Sequence, residues 1–537
     1  MAYLHTPTIA CTASSFPTPI LDGVQILSLD ANLVPNYTAQ SPPFFNPNHG
    51  TISPVQLDFC NVTIIHTHPS RPASSPEDRV ETQIWLPTKV RDNSREQAWN
   101  GRLQAVGGGG FIAGLYSYML TAMDAAMAEG YATVATNAGI YATDINGGDA
   151  DSWFLPNGPG KPDYFALENF AYRSIGEMGL LAKQVVKSYY GSEARYSYFS
   201  GCSNGGRQGY VLAQRYPDQY NGIAACAPAL YTDEWVENYW AQQIMKDTNS
   251  YPWLCELNAL SAAAVATCDL LDGVEDGILQ EPDKCAFDPY SMLGESICCT
   301  DKGLGGTAKV SEAAVLIAQG TWTGNRTFLK DVHFRGETGG YDVKLDYAGS
   351  TTCSNITQSC MGGPDPLTLN LMRIFVQQDK SWDPRNITDA QLEAIRLKSL
   401  ASLSDIGTNS HNLSAFKQSG GKMITYHGTS DPAVSYKTSR RFYDAATKND
   451  GDLHDFYRLF LAPGLGHGVG GRGAYPHTTF RALVKWVEGG VVPGKLEATS
   501  EPDGEGRVIN RILCAYPQVA VWDGVGSDDE FESWKCA

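Results

Sequence analysis

The feature that most constrains this chain is the pentapeptide Gly201-Cys202-Ser203-Asn204-Gly205. It sits between an apolar, aromatic run at 196–200 and a helical pattern beginning near Gly206. A G-x-S-x-G sequence in that setting predicts a sharp strand–turn–helix junction that presents a serine hydroxyl at the end of a strand. The glycines let strand and helix approach, and the tight turn exposes Ser203 Oγ. A plain βα turn is the alternative, because the bare pentapeptide recurs by chance.

The surrounding pattern places that turn in an α/β architecture. Short apolar runs at 83–86, 103–106, 131–136, 196–200 and 222–226 read as strands, and 115–128, 167–187 and 206–215 read as helices. The alternation returns with strands at 423–427 and 457–461 and helices at 436–446 and 477–488. Such a series predicts an α/β-hydrolase fold: a doubly wound, mostly parallel sheet covered by helices on both faces. Between 232 and 420 the regularity fails, giving way to Gly- and Pro-containing turns, several cysteines and scattered helices. We read residues 1–231 and 421–537 as two parts of one core, and 232–420 as a lid inserted over the carboxyl ends of the strands. An independent domain is the alternative for that segment.

A serine hydroxyl needs a histidine base oriented by a carboxylate, and in this fold they follow in the order Ser, Asp or Glu, His. Asp431, in the loop after strand 423–427, and His467, in the glycine-rich loop after strand 457–461, occupy those places. Turn or cap formation before Pro432 is the competing role for Asp431. His427, read as strand core, and His477, at a helix start, are the rival histidines. The run Gly107-Gly108-Gly109-Gly110 after strand 103–106 reads as an oxyanion loop, with Gly108 and Gly109 as donors beside the Asn204 amide. A flexible loop or a phosphate nest is the alternative; no Lys-[ST] follows, which argues against a P-loop.

The segment 268–278 sets Asp269, Asp272 and Asp276 in a glycine-bent loop whose oxygen ligands suit Ca²⁺. The terminal bidentate Glu of an EF-hand is missing, and an exposed acidic turn is an equal reading. The net charge of −18 disfavours nucleic acid as a partner, and no run of about 18 apolar residues suggests a membrane span. Thirteen cysteines, several in close pairs such as Cys353 and Cys360, suit disulfides in an oxidising compartment; buried free thiols are the alternative. Sequons at Asn36, Asn61, Asn325, Asn355, Asn386 and Asn412 point the same way. The first residues carry neither a basic nor an apolar segment, so no signal peptide is visible. The expectation is a secreted protein in mature form behind an added methionine, with a secretory-pathway compartment or the cytoplasm as alternatives.

Three motifs together resemble the fungal tannase and feruloyl esterase family, which also includes a bacterial mono-terephthalate esterase. These are Gly201-Cys202-Ser203-Asn204-Gly205-Gly206-Arg207-Gln208-Gly209, the Cys268–Cys285 bracket around Asp-x-x-Asp-Gly-Val-x-Asp-Gly-Ile, and His427-Gly428-x-x-Asp431. The resemblance runs from about Cys11 to Cys536. It implies an α/β-hydrolase core with a large lid, cleavage of esters of galloyl- or feruloyl-like aromatic acids, and no organic cofactor. It implies a structural Ca²⁺ held by Asp269, Asp272, Asp276 and the carbonyls of Val274 and Ile278. It also implies the disulfides Cys11–Cys60, Cys268–Cys285 and Cys514–Cys536. One departure stands out: the family bridges the cysteine before the nucleophile to a cysteine directly after the catalytic histidine, and here Gly468 follows His467. That bridge cannot form as the family forms it, which leaves Ser203 and His467 to packing and hydrogen bonds alone and the state of Cys202 open, a free thiol being one reading.

The expected function is therefore a serine carboxylic ester hydrolase acting on a small aromatic ester, with lid aromatics such as Trp235, Tyr239 and Trp240 forming an apolar acyl pocket or simply lid core. An acyl-transferring or secondary-metabolite enzyme, a non-catalytic binding protein on the same scaffold and a redox role for Cys202 are the rivals. Neither portion of the ester is readable from the sequence, and a homodimer stays open.

Overall fold

The computed structural model describes residues 7–42, 46–73, 75–92, 95–97, 99–300, 306–324, 339–353 and 360–537. Strands β1 (Gln25–Ser41), β2 (Ile52–Thr67), β3 (Val80–Asp92), β4 (Arg95–Gln97), β5 (Arg102–Val106), β6 (Ala132–Thr136), β7 (Tyr196–Cys202) and β8 (Gly222–Cys226) open the chain. In the lid, β9 (Ser296–Cys299) pairs with β10 (Gly306–Lys309), and β11 (Ser350–Cys353) with β12 (Cys360–Gly363). Strands β13 (Lys422–Gly428) and β14 (Tyr457–Ala462) return to the core, and two hairpins, β15 (Lys495–Thr499) with β16 (Asn510–Cys514) and β17 (Ala520–Trp522) with β18 (Trp534–Cys536), finish it. The main sheet has the order β1-β2-β3-β6-β5-β7-β8-β13-β14, with β4 on β3. Its pairs are parallel from β6 to β14 and antiparallel from β1 to β6.

The parallel strands are apolar at nearly every position because both faces are covered. Side chains alternate between two cores. Phe199, Ile223 and Met423 enter the core beneath the helices Ser174–Tyr190, Asn204–Arg215 and Tyr436–Asn449. Tyr198, Ala224 and Ile424 enter the opposite core with Phe480, Leu483 and Trp486 of the helix Thr479–Gly489. This is the doubly wound arrangement expected from the alternating pattern.

The sequence reading placed no element before residue 80, yet β1 and β2 are the longest strands of the sheet. The reason for β1 is its edge position: it is mostly solvent-facing, carries Pro35, and breaks register where Asn36 takes a positive φ of 54°. Its hydrophobic alternation is correspondingly weak.

The lid fills the connection between β8 and β13, which are neighbours in the sheet. Its helix Leu254–Cys268 is stapled near both ends, by Cys255–Cys299 and Cys268–Cys285. With the following 3₁₀ turn, Leu254–Asp272 has the length and mean hydropathy of 1.4 to cross a bilayer, which the sequence reading did not register. Glu256 within it is buried, bonding the amides of Trp253 and Ser311.

Candidate active site

Ser203 links β7 to the helix Asn204–Arg215 at φ 61°, ψ −123°. A non-glycine residue there costs about 1–3 kcal/mol and persists only when its surroundings fix it. Here they do. The Ser203 amide donates to the Cys226 carbonyl (3.1 Å), and its carbonyl accepts from the Arg207 and Ala229 amides (3.0 Å each). A Cβ on Gly205 would come within 2.8 Å of the Gly108 carbonyl oxygen, and one on Gly206 within 2.6 Å of the Cys226 carbonyl oxygen. Glycine at both positions therefore allows the helix to close on β8 and on the loop after β5.

Asp431 lies after β13 and His467 after β14, so both loops emerge at the carboxyl end of the sheet beside Ser203. Asp431 Oδ2 is 2.6 Å from His467 Nδ1 and 3.2 Å from His427 Nε2. Its Oδ1 accepts from the Ala433 and Val434 amides at 2.8 and 2.9 Å. Burial alone would raise this carboxyl; the two imidazoles outweigh it and hold the group well below the usual carboxylate range. For His467 burial acts to lower the imidazole, and Asp431 overrides it, so its pKa is raised. His467 remains about one-third exposed at its side chain, enough to meet a ligand.

The oxyanion expectation needs correction at two glycines. The Gly108 amide donates to Gln208 Oε1 (2.9 Å), and the Gly109 amide to the Ile112 carbonyl (3.1 Å), so neither is free. The next residue, Gly110, lines the cavity with Ser203, Asn204 and His467. The Asn204 amide opens a helix, one of the first-turn donors without an intrahelical acceptor. Among the described residues neither the Gly110 nor the Asn204 amide has an acceptor. The sequence could not separate the four glycines because the distinction depends on which amide the tight 109–112 turn consumes.

Aromatic side chains wall this cavity: Phe111 and Phe170 from the core, Trp235 and Tyr347 from the lid. Trp240 borders an adjoining cavity with Trp235, whereas Tyr239 is packed in the main core. Arg207 also faces the cavity while only 1% exposed. It bonds Asn204 Oδ1, the Ala171 carbonyl and Thr408 Oγ1, but its Nη2 has no partner among the described residues. Burial without a carboxylate pushes its pKa down to about 9.

A family model described as tannase and feruloyl esterase matches residues 60–537. The chain belongs to that family. It is 34% identical over 534 residues to a probable feruloyl esterase of Arthroderma benhamiae, covering 98% of this chain and 93% of the relative. It is 26% identical to a tannase of Aspergillus oryzae, covering 98% and 94%. Among solved structures, a tannin acyl hydrolase from Aspergillus niger superimposes with a TM-score of 0.81 at 25% identity, covering 98% of this chain and 95% of that one. Feruloyl esterase B from Aspergillus oryzae gives a TM-score of 0.73 at 23% identity over 97% and 98%, a likeness of fold. Membership in the tannase and feruloyl esterase family makes the chain a carboxylic ester hydrolase.

Cys202 is bridged in this family member. The residue is not a free thiol: it is disulfide-bonded to Cys226, its register partner on β8. The Ser203 backbone is thus tied covalently to the neighbouring strand, and the rival redox role loses the free Cys202 thiol it needs. The pairings Cys11–Cys60, Cys268–Cys285 and Cys514–Cys536 are present. Spacing could not reveal the Cys202–Cys226 bridge, because it depends on strands β7 and β8 being neighbours in register.

The acidic lid loop is folded back on itself. Gly273 and Gly277 take positive φ of 89° and 74°, so the chain turns sharply at both. Asp269 accepts the Gly277 amide, Asp272 the Val274 amide and Asp276 the Ile278 amide. Arg511 of β16 pairs with Asp276 at 2.6 Å. Burial, opposed by the Val274 amide and reinforced by Asp276 and Asp269, raises Asp272 to about 6. Clustered, partly buried carboxylates that raise one another are a donor set that fits a hard cation. The Val274 and Ile278 carbonyls accept no hydrogen bond among the described residues.

Proposed function

We propose that this protein hydrolyses esters of aromatic acids through an acyl-enzyme formed on Ser203. The observation that carries the reading is the shared cavity of Ser203 and His467, with His467 Nδ1 committed to buried Asp431. With Nδ1 committed, Nε2 is the nitrogen left to accept the Ser203 proton. Ser203 Oγ attacks the ester carbonyl as its proton passes to His467 Nε2. The Gly110 and Asn204 amides stabilise the tetrahedral oxyanion. His467 returns the proton to the departing alkoxide, giving the alcohol and the acyl-serine. Water then attacks the acyl carbon by the same proton path and releases the acid.

The acyl group lies among Phe111, Phe170, Trp235 and Tyr347, whose faces suit a planar ring. Arg207 Nη2 offers a donor to an oxygen substituent on that ring. The relatives' names, feruloyl esterase and tannase, support an aromatic acyl portion.

The loop of Asp269, Asp272 and Asp276, with the Val274 and Ile278 carbonyls, is read as holding Ca²⁺, which would neutralise the carboxylates and fix the lid against the carboxyl-terminal hairpins. Arg511 and the packing of Val274 against Ile512 and Trp534 support that docking. The disulfides, together with solvent-exposed Asn36, Asn386 and Asn412, support secretion through an oxidising, glycosylating compartment. Asn61 supports it less: it lies within β2 between two strands, with its amide oxygen buried. Asn325 and Asn355 lie outside the described residues.

The test is Ser203→Ala assayed on aryl esters of hydroxycinnamic and gallic acids. Turnover is expected to fall by roughly 10⁶-fold with the thermal transition retained, and mass spectrometry of the wild type should trap an acyl adduct on Ser203. Full activity in the variant would refute the mechanism.

A further inference from the structure

Outside the catalytic cavity, His66 and His68 stand two residues apart on β2 and therefore project from the same face of the sheet. Both are buried, and both Nε2 atoms converge on Glu177 of the helix Ser174–Tyr190. His66 Nε2 is 3.3 Å from Glu177 Oε2; His68 Nε2 is 2.9 and 3.0 Å from the two Glu177 oxygens. The nitrogen and carboxylate atoms all lie within 4.8 Å of one another. In a tetrahedral zinc site with bonds of about 2.0–2.1 Å, neighbouring ligand atoms are about 3.3 Å apart. The two Nε2 atoms stand 2.9–3.3 Å from the Glu177 oxygens, at or somewhat below such an edge.

The outer contacts are built in the same sense. His68 Nδ1 bonds Asp78, which is itself held by the Thr67 hydroxyl, the His68 amide and Asn169 Nδ2. A carboxylate on the far nitrogen is the arrangement that orients a metal-binding imidazole and raises its donor strength. His66 Nδ1 has no hydrogen-bond partner among the described residues, so no contact there fixes its tautomer. Two carboxylates, Glu177 and Asp78, face the two imidazoles, so a divalent ion bound to neutral imidazoles would be balanced in charge. Phe165 packs edge-on against the His68 ring, with centroids 5.5 Å apart.

We propose that His66, His68 and Glu177 form a structural transition-metal site, of the zinc class, that clamps the end of β2 to the helix Ser174–Tyr190. The mixed nitrogen and oxygen donor set separates it from a calcium site, which takes oxygen alone. Bound to the metal through Nε2, His68 keeps its proton on Nδ1 and donates it to the Asp78 carboxylate.

The test uses the full chain, stripped with chelator and then kept in millimolar calcium so that oxygen-only sites are filled. Zinc uptake is measured by calorimetry and elemental analysis, and cobalt(II) reports the ligand field through its visible spectrum. One equivalent of zinc, a tetrahedral cobalt spectrum and a thermal transition raised by zinc are expected. His66→Gln and Glu177→Gln should each abolish the cobalt spectrum, and Asp78→Asn should weaken zinc roughly 10–100-fold, with folding of each checked by circular dichroism. Failure of the wild type to take up zinc, or uptake unchanged in folded His66→Gln, would overturn the assignment.

Discussion

Cys202 and Cys226, the last residues of β7 and β8, are register partners on adjacent parallel strands and are joined by a disulfide. Gly468, directly after His467, packs on this bridge: a Cβ there would stand 2.8 Å from Cys202 Sγ and 3.0 Å from Cys226 Sγ. The brace that the family resemblance places between the serine and histidine loops is replaced here by one between two strands, and glycine makes room for it.

This relationship can be tested by moving the bridge. Across a disulfide, a Cβ lies about 3.0 Å from the opposite sulfur, close to the distance from the Gly468 position to Cys202 Sγ. Cys226→Ser is expected to cost roughly 2–4 kcal/mol, since the lost bridge closes a loop of 24 residues. Adding Gly468→Cys should allow Cys202 to pair with the introduced cysteine, detectable by peptide mapping. Recovery of stability should be incomplete, because φ at Gly468 is +79°.

On the proposed mechanism, Asp431 sets the pH profile. It raises the His467 pKa against the effect of burial, and the base works only when neutral. The acidic limb of kcat/KM should therefore lie above the ordinary imidazole value of about 6.5. Asp431→Asn is expected to lower kcat by about 10⁴-fold and to move that limb to lower pH. His427→Gln removes one of the two imidazoles on Asp431 Oδ2. It should lower kcat more than it changes KM and shift the limb upward, because the freed carboxylate then acts on His467 alone.

Chelation should loosen the lid. In calcium-free protein Asp272 titrates near 6 in the folded state against about 3.9 unfolded. A carboxyl raised on folding favours the native state at low pH, and that contribution is lost as pH rises from about 4 through 6. The thermal transition of chelated protein should thus fall across this window. Added calcium should restore it most at pH 7, and Asp272→Asn should remove the calcium response. Scanning calorimetry at several pH values checks this.

Arg207 is expected to sense substituents on the acyl ring. Arg207 lines the cavity, its buried Nη2 has no partner among the described residues, and a donor left without an acceptor costs about 1–3 kcal/mol. Arg207→Gln should reduce the preference for 4-hydroxycinnamate over cinnamate esters by roughly 10–100-fold, measured as the ratio of kcat/KM values. If Arg207 acts only by holding Asn204, kcat will fall equally for both esters.

How much was legible follows from the range of the interactions. The place of Ser203, Asp431 and His467 in loops at one end of the sheet could be read because a strand–turn–helix junction and the loops after successive strands are written in local periodicity and glycine placement. The helices at 117–128 and 204–215 and the parallel strands were readable for the same reason: burial on both faces or on one stripe leaves a periodic trace. The use of the Gly108 and Gly109 amides by Gln208 and Ile112, the pairing of Cys202 with Cys226 and the meeting of His66, His68 and Glu177 were decided only by tertiary structure. Each depends on which strands are neighbours and in what register, or on which donor a turn has already used. The members of the disulfide lie 24 positions apart, and His66 and Glu177 lie 111 apart; they meet through sheet order and helix packing, and no local pattern encodes that geometry.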